Sequence, residues 1–109
     1  MRGAALLAAL LAPGVAAAEL RTMRYVCERG VEVPVVYVPD AEPAAAVIGV
    51  EGGMYALEAE QAASGVRYGW PSDGSHYVWW TRGTEEAMLL WSDGETGEEV
   101  TLLAECRAG

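Results

Sequence analysis

The sequence predicts a small all-β domain of short antiparallel strands, closed as a barrel or packed as a tight sandwich. Three observations predict it. Apolar residues recur with period two over much of the chain, turn-forming residues break that alternation at close spacing, and β-branched and aromatic residues fill the stretches between breaks.

Residues 1–18 stand apart and read as a secretory signal peptide. Arg2 gives the positive start, Ala4 to Ala12 an apolar run, Pro13-Gly14 a helix breaker and Ala16-Ala17-Ala18 a small-residue cleavage site. The apolar run is about half the roughly 20 residues that a membrane-spanning helix needs. No cysteine follows it to carry a lipid. The expectation is a domain over residues 19–109, periplasmic or secreted, with no membrane anchor after cleavage.

Within that domain, Arg21 to Cys27 places Met23, Tyr25 and Cys27 on one face. Val31 to Val38 follows, with Pro34 marking an edge or a bulge. Ala41 to Val50 contains helix-forming alanines, but Pro43 and the Val47-Ile48-Gly49-Val50 ending favour a strand over 45–50. Met54 to Glu60 alternates Tyr55, Leu57 and Ala59 with Glu58 and Glu60. Ser64 to Tyr68, Tyr77 to Arg82 and Ala87 to Trp91 come next. Glu99 to Cys106 closes the series, with Val100, Leu102, Ala104 and Cys106 on one side. Arg29-Gly30, Pro39-Asp40, Gly52-Gly53, Pro71-Ser72-Asp73-Gly74, Gly83-Thr84 and Ser92-Asp93-Gly94 separate these eight candidates. An eight-stranded barrel is just wide enough for side chains to fill it, so most of the four Trp and five Tyr are core. Trp70, in a Gly- and Pro-bearing loop, is the exception.

Cys27 and Cys106 both fall in phase with apolar positions near opposite ends of the domain. A redox or metal pair lacks CxxC spacing and nearby histidines, so a structural disulfide is expected in an oxidising compartment.

Removing residues 1–18 leaves six arginines and no lysine against sixteen Asp and Glu, a formal charge of −10. Such a domain repels nucleic acid and anionic lipid. Its acidity serves solubility or attracts a basic partner. Catalysis is not expected. The one histidine, His76, has no acid beside it, and no nucleophile elbow, zinc helix or phosphate loop occurs. The acidic 95–99 stretch lacks the order of a calcium loop, so no metal and no cofactor is expected.

One ordered set of motifs resembles a known family. Tyr25-x-Cys27, Ser64-Gly65-Val66-Arg67-Tyr68, Trp79-Trp80-Thr81-Arg82-Gly83 followed by Ala87-x-Leu89, and Cys106 are similar to the double signature of the MliC/PliC inhibitors of c-type lysozyme. The resemblance implies an eight-stranded antiparallel β-barrel stapled by one disulfide, with c-type lysozyme as partner. It also implies that the motif serine and the basic residue before the turn glycine, here Ser64 and Arg82, enter the lysozyme cleft. Gly65 shapes that loop, and Arg67, Tyr68 and Trp70 are lesser contact candidates. Arg67 otherwise pairs with neighbouring glutamates, and Tyr68 otherwise packs. The family usually carries lysine where this chain has Arg82, and the 69–76 connection is longer than is typical. The alternative is a non-catalytic module that binds glycan or peptidoglycan through exposed aromatics, Trp70 and Tyr77.

Overall fold

The computed structural model describes residues 19–109 apart from Pro71 and Asp73. The export segment expected at 1–18, and those two members of the 71–74 break, lie outside it. Eight strands follow one another: β1 (Arg21–Val26), β2 (Glu32–Val38), β3 (Ala45–Val50), β4 (Gly53–Glu60), β5 (Val66–Gly69), β6 (His76–Arg82), β7 (Glu86–Ser92) and β8 (Glu99–Ala108). Each pairs antiparallel with its neighbour in sequence, and β8 returns to β1, so the sheet is a closed up-and-down barrel. Between β1 and β2, Glu28–Gly30 makes one 3-10 turn with Arg29 at φ 62. Pro34 opposes Arg24 of β1, while the β2–β3 ladder extends only as far as Val35 opposite Ile48. Its missing N–H thus falls where no ladder bond is required.

Two strand expectations need correction. The stretch expected to begin at Ser64 enters the sheet only at Val66, because Gly65 takes φ +66, a left-handed conformation that an extended strand does not contain. On β8 the simple alternation fails. Leu103, not Leu102, is buried, and Cys106 is buried three positions later. Thr101 opposes Leu90, Leu103 opposes Leu89 and Cys106 opposes Ala87, so β8 carries one extra residue at each step. Glu105 at φ 55 is where the second bulge resets the phase.

The barrel interior holds Tyr25, Val33, Val35, Ile48, Leu57, Trp79 and Leu89, all essentially solvent-free. Tyr25 and Trp79 meet edge to face at 5.1 Å. The wall also has a small outer core: Val78 and Leu90, opposite each other, are buried on the face away from Trp79 and Leu89. Arg67 of β5 covers them by reaching Glu99 of β8, a contact that must pass over β6 and β7. It also binds Glu60 through Nε at 2.7 Å and lies 5.1 Å over the Trp80 ring. The guanidinium thereby closes a charge network and shields apolar surface with its stem.

Closure of the barrel is its thinnest part. Only Tyr25–Ala108 and Val26–Arg107 pair across β1 and β8. The Cys27–Cys106 disulfide lies directly beside them. Past it, the Glu28 carboxylate accepts a bond from Ala104 N–H at 3.0 Å, which the ladder leaves unmet.

Replacing both cysteines with alanine is expected to cost up to about 4–5 kcal/mol, the loop-entropy value for a bridge this long. A lower denaturant midpoint with a steeper slope, from a less compact unfolded chain, would show it; coincident curves would contradict it. Acid stability tests the outer network. Arg67 holds the Glu99 carboxyl below its ordinary value, with partial burial opposing it. A carboxyl held low in the folded state stabilises above about pH 4.3 and loses that contribution as pH falls further. Glu99→Gln should therefore lower stability at pH 7 and flatten the acid limb of the stability curve. An unaltered limb would contradict the pairing.

Candidate functional site

Ser64, Gly65 and Arg82 come together at one end of the barrel, where β5 begins and β6 ends. Val66 opposes Thr81, so the chain preceding Val66 runs beside the end of β6. Three features fix it there. The Trp80 indole N–H donates to the Ser64 carbonyl at 2.9 Å, and the Thr81 hydroxyl donates to the Val66 carbonyl at 3.2 Å. A Cβ on Gly65 would stand 2.0 Å from the Thr81 carbonyl oxygen, so backbone meets backbone at a distance that only glycine permits. Ser64 is thus presented on a clamped segment with its side chain exposed.

The turn after Arg82 is tied to the core by a second device. Trp79 N–H donates to Tyr37 Oη at 3.0 Å, Tyr37 and Tyr25 hydroxyls lie 2.7 Å apart, and Tyr25 Oη donates to the Thr84 carbonyl at 3.2 Å. An indole only donates and a carbonyl only accepts, so every member is satisfied when Tyr37 donates to Tyr25. Burial pushes both hydroxyls above the ordinary tyrosine value, Tyr37 the further, so both stay protonated. The chain runs from the barrel centre to the residue two beyond Arg82.

Ser64 and Arg82 line one depression of about 400 Å³, together with Trp80, Glu86, Met88 and Arg107. Its charges are unevenly satisfied. Glu86 accepts from Arg107 at 2.8 Å, whereas Arg82 has no acidic partner within 4 Å among the described residues. Of the six arginines described, Arg24, Arg29, Arg67 and Arg107 are ion-paired, and only Arg21 and Arg82 are not. In a domain with so many carboxylates, that leaves Arg82 open to an external anion.

The other candidates lie apart. Arg67 is adjacent across Trp80, but Glu60 and Glu99 occupy its guanidinium. Tyr68 opposes Trp79 and leans on Tyr37 with ring centroids 5.7 Å apart, lining a second depression at the same end. Trp70, 41% exposed, follows the far end of β5, at the opposite end of the barrel from Ser64. It stacks on His76 at 6.5 Å and 24°. His76 Nδ1 lies 2.8 Å from the Gly74 carbonyl. Tyr77, beside them, bonds to the Glu51 carboxylate, which pushes its hydroxyl up to about 12. No cluster of three or more His, Cys, Asp or Glu side chains suited to a metal occurs among the described residues.

The clamp by Trp80 is a role that motif reading alone does not assign. The signal is available: with Trp79 facing inward, period two turns Trp80 outward, beside the Ser64-Gly65 bend. Arg21 has no such signal, because its lack of a partner depends on where the acids fold.

Comparison with known proteins bears on the fold and the family. A solved structure, the Adhesin Complex Protein from Neisseria meningitidis, superposes with a TM-score of 0.54 over 82% of this chain and 99% of that one; at 14% identity the likeness is one of fold. Two relatives are each named membrane-bound lysozyme inhibitor of C-type lysozyme. That from Cupriavidus necator is 32% identical over 95 residues, 87% of this chain and 71% of its own. That from Pseudomonas aeruginosa is 33% identical over 94 residues, 84% and 70% of the two chains. Residues 25–98 match the family model described as membrane-bound lysozyme-inhibitor of c-type lysozyme. The chain belongs to the MliC family.

Proposed function

We propose that this protein inhibits c-type lysozyme, non-catalytically, by seating its Ser64–Arg82 end in the enzyme's active-site cleft. The observation that carries this reading is Arg82, an exposed guanidinium without an acidic partner among the described residues, held beside a clamped serine in an otherwise acidic domain. A retaining glycosidase sets two carboxyl groups about 5 Å apart and keeps one protonated as its acid. A guanidinium with five donors in a planar fork pairs with such carboxylates and never gives up its proton. Beside the catalytic acid it favours the ionised form, removing the proton that cleavage needs. Ser64 adds a hydroxyl, and Gly65 lets the backbone follow it in. Plugging the cleft blocks substrate in any case.

Placement of the other candidates supports a compact contact. Tyr68 borders it through the neighbouring depression, Arg67 holds the Trp80 clamp from behind, and Trp70 stands at the far end. A periplasmic or secreted location suits both the disulfide and the target, with residues 1–18 as export signal. Among the described residues no helix is long and apolar enough to cross a membrane.

Lysis of a cell-wall suspension by c-type lysozyme tests the proposal. Stoichiometric protein should stop lysis. Arg82→Ala should weaken inhibition on the order of a hundredfold, and Ser64→Ala about tenfold, both with unchanged melting temperature. Arg82→Lys should keep part of the activity, a point charge replacing a fork. Full lysis at excess protein, with retention on peptidoglycan instead, would favour a glycan-binding module. Association should also be steered by charge. Raising ionic strength shortens the screening length from about 30 Å at 0.01 M to about 8 Å at 0.15 M, so the on-rate should fall more than the off-rate rises. A salt-independent on-rate would refute steering.

A further inference from the structure

We infer that the depression between Arg21 and Tyr68 is a second receiving pocket, which takes an acidic side chain of the lysozyme surface outside its catalytic groove. The inference rests on the inhibitor reading and extends its contact surface. Arg21 and Arg82 are the two described arginines without an acidic partner within 4 Å, and both lie at the same end of the barrel, at the start of β1 and the end of β6. They open onto separate depressions that share Thr81 as a common wall. One partner seated on this end therefore meets both.

The second depression is about 370 Å³ and combines a cation with an available hydroxyl. Tyr37 Oη is already engaged by Trp79 and Tyr25, whereas the half-buried Tyr68 hydroxyl has no hydrogen-bond partner among the described residues. Met23 and Val66 give the pocket apolar walls, which reduce solvent around an incoming carboxylate and strengthen its attraction to Arg21. Glu19 also lines the rim. Its backbone N–H donates to Asp40, and its carboxylate makes no ion pair with Arg21. A carboxylate that accepts from both Arg21 and Tyr68 satisfies the free donors on each side.

The electrostatic pattern favours an acidic group over a neutral one. The body of the domain is strongly negative, and four of its arginines are neutralised internally. The two depressions set Arg21, Arg82 and Arg107 against Glu19, Glu86 and Glu105, so this end is locally near neutral within a strongly negative domain. Its two open cations are the groups there that can meet negative side chains on an otherwise basic partner.

Binding of c-type lysozyme to the purified protein, measured by calorimetry and by surface kinetics, tests this pocket. Arg21→Ala should raise the dissociation constant about tenfold, and Arg21→Glu more, with unchanged melting temperature. Tyr68→Phe, which removes one oxygen and keeps the packing, should raise it severalfold. Arg24→Ala, on the same strand but already paired with Glu32 at 3.2 Å, should bind like the parent protein. Parent-like affinity for Arg21→Ala, Arg21→Glu and Tyr68→Phe, with Arg82→Ala still impaired, would overturn the second pocket and leave the inhibitor reading standing. No binding by the parent protein would overturn both.

Discussion

Closure of the sheet between its first and last strands is the constraint on which the other features depend. Two residue pairs make that seam, too few to hold a barrel edge against solvent without help. The Cys27–Cys106 bridge and the Glu28 carboxylate supply the help from consecutive residues at the start of the 3-10 turn. The bridge fixes β8 to the end of β1, Cys106 also opposes Ala87 of β7, and Cys106 itself lines the depression that Ser64 and Arg82 share. A structural cross-link at the seam is therefore also part of the site's floor.

Rigidity is the theme of the proposed binding end. A loop that orders only on contact gives up affinity to conformational entropy, so a preformed loop binds more tightly for the same contacts. Here Trp80 holds the serine segment and the Trp79–Tyr37–Tyr25 chain holds the turn after Arg82. One aromatic pair on β6 points its two rings to opposite faces and serves both sides of the same site. Arg67, although adjacent, belongs to the wall: its two carboxylate partners keep it over the outer core formed by Val78 and Leu90.

Much of this was legible in the chain because a half-buried strand writes its orientation into the period-two pattern. β1 and β4 follow that pattern, and Cys27 falls in phase with Tyr25 as expected, whereas β6 buries Val78 and Trp79 on opposite faces. The pattern fails on β8, because a bulge adds a residue without leaving a sign in composition; Glu105 is no glycine, yet it takes the left-handed conformation. Gly65 was legible as a motif glycine, but the reason for it, the Thr81 carbonyl 2.0 Å from its missing Cβ, exists only once β5 and β6 are paired. Ion pairing is least legible of all. Six arginines look alike in sequence, and only the folded positions of the acids divide four occupied guanidiniums from the two open ones.

A crystal structure of the complex with c-type lysozyme tests the central claim most directly. The expected result is the Arg82 guanidinium at about 2.7–2.9 Å from a catalytic carboxylate, with Ser64 beside it and the barrel backbone unmoved from its free form. A complex that engages the Trp70 end instead, or one that leaves the catalytic groove open to solvent, would contradict it.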